Sequence, residues 1–389
     1  MGTYNKKLIF TAACLGMLMF GIVMAVLGAV LPSVIEKFQI DMADAGSLFF
    51  MMSMGMLFGS MVFGPVVDRY GYKGLLIICA ILIFASIEGI AFAWSMTILR
   101  ISLLIVGFTG GAINGGTNAL VSDISEKNRG SGLSFLGVFF GIGAFGIPFL
   151  LGILLDHFSY ETLIAIVGSL ILLPLVFFIL LKFPAPKHEQ GFPLREGIGL
   201  TRETTLLLFG LMLFIQSGME MTVGGWSATF LNKELNIEAS KSVLILSLFW
   251  MGLILARLSL GKILNHIAKS KVLLSSLFIA IAGSLFMLLS NRSIMALSGL
   301  IITGIGFAAV FPLVLAFVGD LYSKLSGTAF SLVLAIALLG GMLFPYLVGI
   351  MANSMGLRLS LALVPFSMFC SALIFRLILF RFKKQTKMQ

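Results

Sequence analysis

The chain has 389 residues, of which 59% are hydrophobic and only 11% charged, with a mean hydropathy of +1.11. A water-soluble domain of this size needs a charged surface, and so few charges exclude one; lipid can solvate the outside instead. The net charge of +10 does not point to nucleic acid, because Lys and Arg sit in short connections between apolar runs.

Apolar runs of membrane-crossing length recur along the whole sequence, each able to traverse a ~30 Å hydrocarbon core as one helix. Spans are expected near 8–33, 45–67, 74–93, 96–121, 131–154, 161–182, 205–231, 242–263, 272–290, 294–318, 327–352 and 357–380. The first follows Lys6 and Lys7 and is too long for a signal-peptide core, so it reads as a span. The fold class is therefore an all-α polytopic membrane protein with twelve transmembrane helices. The one long polar stretch, 183–204, carries Pro184, Pro186 and Pro193 and separates residues 1–182 from 205–389 as a cytoplasmic linker. With the N-terminus inside, 19 Lys and Arg lie on the cytoplasmic side and six on the outer side. This bias places both termini in the cytoplasm.

The two parts repeat. An offset of 197 brings Gly55, Gly64, Gly107, Asp123, Gly143, Pro148 and Gly152 onto Gly252, Gly261, Gly304, Asp320, Gly340, Pro345 and Gly349. Matched glycines and prolines mean matched backbone demands: close helix contacts and bends. Two pseudo-symmetric six-helix bundles follow. A duplicated unit of this kind places a substrate site near mid-membrane and works by alternating access.

Cys14, Cys79 and Cys370 lie in apolar runs at spacings that fit no metal motif, and His157, His188 and His266 are scattered among connections. The phosphate loop G-x-x-x-x-G-K is absent. The sequence therefore predicts no metal, no cofactor and no enzyme.

Polar side chains inside apolar helices are costly and so informative. Gly107, Gly111, Asn114 and Asn118 share one face of span 4, and an amide both donates and accepts, which suits sugar hydroxyls. The same amides can instead tie helices together. Glu220 lies about fifteen residues into span 7, hence ~22 Å from its cytoplasmic end. Such a carboxyl must hold its proton, find a partner or reach water. Gln216 sits one turn below it. Trp226, beside Gly224 and Gly225, and Trp250 in span 8 can stack on a pyranose or sit in the interfacial belt. Glu88 and Arg100, near the outer ends of spans 3 and 4, read as an ion pair or solvated ends. Asp123 and Asp320, at matched cytoplasmic ends, read as gate partners of Arg69, Arg129 or Arg257.

Between spans 2 and 3 the sequence runs Gly64-Pro-Val-Val-Asp68-Arg69-Tyr-Gly71-Tyr-Lys73, with a worn copy at Gly261-Lys-Ile-Leu-Asn265-His266. This resembles the signature G-x-x-x-D-R-x-G-[RK] of the major facilitator superfamily. The resemblance implies that Asp68 and Arg69 belong to a cytoplasmic gate cluster that steadies the outward-open state. Within that superfamily the chain is similar to the fucose/glucose/mannose–proton symporters. The likeness is carried by Gly110-Gly-Ala-Ile-Asn114-Gly-Gly-Thr-Asn118, Ser217-Gly218-Met-Glu220, Phe249-Trp250-Met-Gly252 through Arg257, and Gly304 through Pro312. It implies a neutral, hexose-like sugar imported with protons, Glu220 coupling and Asn114, Asn118, Gln216, Glu220, Trp226 and Trp250 lining the site. Two acidic positions of the fucose type are Gly28 and Asn114 here. A proton-coupled exporter of drugs or metabolites is the alternative, since span 5 is rich in glycine. A monomer in a bacterial inner membrane, with the bilayer and a small solute as partners, completes the expectation.

Overall fold

A computed structural model describes residues 4–124, 129–184, 203–322 and 326–386. Among these, twelve helices are long and apolar enough to cross a membrane. Spans 1 to 6 are Lys6–Phe38, Met42–Gly64, Arg69–Ala91, Met96–Ile124, Phe135–Leu154 and Tyr160–Leu180. Spans 7 to 12 are Thr204–Glu234, Ala239–Leu264, Lys269–Leu288, Ser293–Leu321, Leu332–Met355 and Leu357–Arg381. The chain is a multi-pass membrane protein with two six-helix bundles. Most of the expected linker, residues 185–202, lies outside the described residues.

Helix starts follow from side chains that accept from the free N–H groups of a first turn. Asn5 accepts from Lys7 and Leu8 at 3.0 and 3.4 Å, Asp41 from Asp44 at 2.7 Å, and Ser159 from Thr162 at 3.3 Å. At the other end of span 6, Lys73 donates to the carbonyl of Ile179 at 2.7 Å, where helix carbonyls lack internal donors. Gly71 interrupts the helical path between spans 2 and 3 with φ 78° and ψ 173°, a region that is essentially glycine-only. That is the physical reason for glycine at this place of the D-R-x-G signature.

Two compact units emerge: Met1–Gln190 with Ile237–Ser247, and Gly191–Asn236 with Leu248–Gln389. The beginning of span 8 thus groups with the first unit, where Gly152 of span 5 has no room for a Cβ against Leu244. Inside the first unit, spans 2 and 4 approach backbone to backbone. A Cβ at Gly55 would collide with the Leu104 carbonyl, and one at Gly107 with the Met52 carbonyl. Spans 1 and 5 cross the same way, through Gly21 against Phe140 and Gly143 against Leu18.

The second unit repeats these crossings 197 positions later. Gly252 lies against the Ile301 carbonyl and Gly304 against that of Phe249. Gly340 lies against Phe214, and Gly218, the counterpart of Gly21, against Phe344. The duplication reaches backbone conformation as well: Gln39 and Asn236, also 197 apart, are the two non-glycine residues with positive φ among those described, at 49° and 51°.

Span 10, expected to be continuous over 294–318, is broken. Its helix stops at Phe307 and resumes at Val310. Pro312 is the cause: it has no N–H for the Ala308 carbonyl four residues back, and its ring crowds that carbonyl. The counterpart of Pro312 in the first unit is Gly115, and span 4 runs unbroken through it.

Candidate functional site

The break in span 10 is where polar groups of the second unit gather. Arg257, on span 8, donates from Nε to the Ala308 carbonyl at 3.3 Å, taking the place of the missing backbone donor. Gln216 of span 7 donates from Nε2 to the neighbouring Phe307 carbonyl at 3.5 Å and to Glu220 Oε2 at 3.3 Å. Gln216 is fully buried and Glu220 is 9% exposed. Gln216 Oε1 is buried with no hydrogen-bond partner. A buried acceptor left unpaired costs about 1–3 kcal/mol, so it favours any ligand that brings a donor.

Aromatic rings close around this break. Phe307 meets Phe249 edge-on at 6.0 Å, and Phe249 meets Trp250 at 5.0 Å. Trp250 packs over Gly224, where a Cβ would come to 3.0 Å from its ring. Trp226 is fully buried, and its indole N–H donates to the Pro345 carbonyl of span 11 at 3.0 Å. This geometry fastens span 7 to span 11.

In the first unit, Asn114 and Asn118 are half-buried and bonded to each other. Asn118 Nδ2 donates to the Asn114 carbonyl at 2.8 Å and to Asn114 Oδ1 at 2.9 Å. The pair presents its remaining donor and acceptor capacity from one face of span 4.

Two of the expected gate carboxylates bond to side chains that the sequence did not point to. Asp320 pairs with Lys269 at 2.8 Å, so Arg257 is not its partner. The reason is height: Arg257 sits two helical turns inside span 8, whereas Asp320 and Lys269 lie at helix ends. Asp123 accepts from the Tyr72 hydroxyl at 2.6 Å. Arg69 is exposed, with its guanidinium 5.3 Å from the centre of the Tyr70 ring. The Asp68 side chain lies outside the described part of the structure. Arg100 pairs with Asp44 at 2.9 Å, not with Glu88, which lies against Gly168 of span 6. Sequence reasoning missed Tyr72 and Lys269, although the 197-residue offset relates them. It also missed the Phe307 and Ala308 carbonyls, for which Pro312 was the available sign.

The Major Facilitator Superfamily model matches residues 13–293 and, a second time, 208–388, so that the matched stretches together span nearly the whole chain. The chain belongs to the Major Facilitator Superfamily. This superfamily member is 24% identical over 342 residues to the glucose/mannose transporter GlcP of Bacillus subtilis, covering 85% of this chain and 84% of that one. Its fold is that of the nucleoside transporter NupG, with TM-score 0.80, 15% identity and coverage of 95% and 99%. It is also that of a D-xylose–proton symporter, with TM-score 0.77, 15% identity and coverage of 95% and 96%. These proteins are membrane transporters of small solutes and not enzymes, and the same class holds for this chain.

Proposed function

We propose that this transporter imports a neutral, hexose-like sugar by proton symport, with Glu220 carrying the coupling proton. The observation that carries the reading is the buried Gln216–Glu220 pair at the break of span 10, with Gln216 Oε1 unpaired. A sugar hydroxyl supplies the donor that this oxygen lacks, and a carboxyl so deeply placed is most readily neutralised by a proton. Asn114 and Asn118 offer amides of the kind that bind hydroxyl groups from both sides. Support also comes from the glucose/mannose transporter among the relatives and the xylose–proton symporter among the folds. We place the protein in a bacterial inner membrane as a monomer, with residues 1–182 and 205–389 as the two functional halves and both termini cytoplasmic, on the distribution of Lys and Arg. Glycine in span 5 does not favour an exporter, because Gly143 and its counterpart Gly340 both make helix crossings.

The test is uptake of labelled hexoses into membrane vesicles with an imposed pH gradient. Accumulation that collapses with an uncoupler is expected, and Glu220→Gln is expected to keep exchange while losing accumulation. Uptake blind to the gradient, or net efflux of hexose against it, overturns the reading.

A further inference from the structure

Arg257 is a cation well inside a membrane helix, a placement that demands a partner. Two acceptors lie at the break: the Ala308 carbonyl, bonded to Arg257 at 3.3 Å, and the Glu220 carboxyl, which reaches the adjacent Phe307 carbonyl through Gln216. The first exists because of Pro312, which denies that carbonyl its helical donor. Gln216 joins the two, touching Glu220 on one side and the adjacent Phe307 carbonyl on the other. The surroundings offer little else that is charged. Span 11 contributes no charged residue, only Tyr346. Span 10 contributes Asp320, held by Lys269. On span 12, Arg358 is held by the Leu288 and Ser290 carbonyls, and Arg376 and Arg381 lie towards the other end. On span 8, Lys241 pairs with Glu238, and Lys262 is in the last turn.

We propose that Arg257 is an exchanging counter-ion, held by the Ala308 carbonyl when Glu220 is protonated and drawn to the carboxylate when Glu220 is ionised. Pro312 is the residue that makes the exchange possible, because it keeps the carbonyl open as an alternative seat. A neutral carboxyl competes weakly for a guanidinium, and an ionised one competes strongly. Proton loss therefore pulls span 8 off the break of span 10, and proton gain returns it. Arg257 acts through Glu220 and is a positioning residue; the idea rests on reading Glu220 as the proton carrier.

Infrared difference spectroscopy of the purified protein, titrated across pH, reads this without any sugar. The carboxylic acid band lost in Glu220→Gln marks Glu220 itself. Arg257→Gln removes the cation that favours the carboxylate, so the band is expected to persist to higher pH, with proton affinity rising roughly tenfold or more. Pro312→Ala gives Ala308 a backbone donor and frees Arg257 for Glu220, so the midpoint is expected to move the opposite way. Arg257→Lys keeps the charge and is expected to fall nearer the wild type than Arg257→Gln does. Equal midpoints in all variants overturn the proposal. A shift in Arg257→Gln without one in Pro312→Ala overturns the role of the carbonyl. A spectrum with no Glu220 band at any pH overturns the exchange. The sugar reading stands or falls separately on vesicle uptake, so shifted midpoints without hexose transport would leave the exchange intact and remove the substrate.

Discussion

Tyr72 donates its hydroxyl to the Asp123 carboxylate at 2.6 Å, and 197 positions later Lys269 makes the corresponding bond to Asp320 at 2.8 Å. Each tie joins the start of the third helix of a unit to the end of the fourth. One is a part-buried neutral-to-charged hydrogen bond and the other an exposed ion pair, with side chains 44% and 62% accessible. The place was kept and the chemistry changed. Tyr72→Phe is expected to lower stability by about 1.5–3 kcal/mol, and Lys269→Met by less than about 1 kcal/mol because water and salt screen it. Thermal unfolding in detergent at low and high salt checks both, since only the second tie should weaken as salt rises.

The glycine crossings make a sharper claim. Gly107→Ala, Gly304→Ala and Gly340→Ala each force a methyl group into a neighbouring backbone carbonyl. Each is expected to cost at least about 1–3 kcal/mol and to lower the yield of monodisperse protein. Gly137→Ala and Gly146→Ala meet nothing within 4 Å and are the controls, expected to unfold at the wild-type temperature. Equal melting in both groups would show that the helices do not approach as described.

Gly71 and Gly74 separate conformation from packing. Gly71 has φ 78°, while a Cβ at Gly74 meets nothing within 4 Å and the residue is helical. Gly71→Ala is expected to destabilise by about 1–3 kcal/mol. Gly74→Ala is expected to be neutral or to stabilise by up to about 1 kcal/mol, as alanine is the better helix former. Melting temperatures of the two variants side by side decide it.

Trp226→Phe removes a buried indole donor and leaves the Pro345 carbonyl without it. The expected result is a loss of about 1–3 kcal/mol in stability, with KM for uptake little changed. A KM raised tenfold with unchanged melting would instead put the ring against the sugar.

Span count, duplication and family were all legible in the sequence, because each rests on runs or offsets that survive without tertiary context. Twenty apolar residues need no partner to be recognised, and a glycine matched at a fixed offset carries its backbone demand with it. The buried Gln216–Glu220 contact was legible, because a polar pair one turn apart stands out in an apolar helix. The partner of Arg257 was hidden, because sequence offers a charge but not the group it bonds. The two carbonyls of Phe307 and Ala308 were hidden, since every residue has a carbonyl and only its unbonded state is informative. The Tyr72 and Lys269 ties were hidden by their unlike side chains.

Pro312 stands where the first unit has Gly115, and its effect reaches beyond a bend. Of the two repeated copies, one runs straight here and the other has a gap in its hydrogen-bond ladder. A difference of that sort makes the two copies unequal in what they can bond. Exchanging these two residues between the copies would ask whether the labour of each half can be traded.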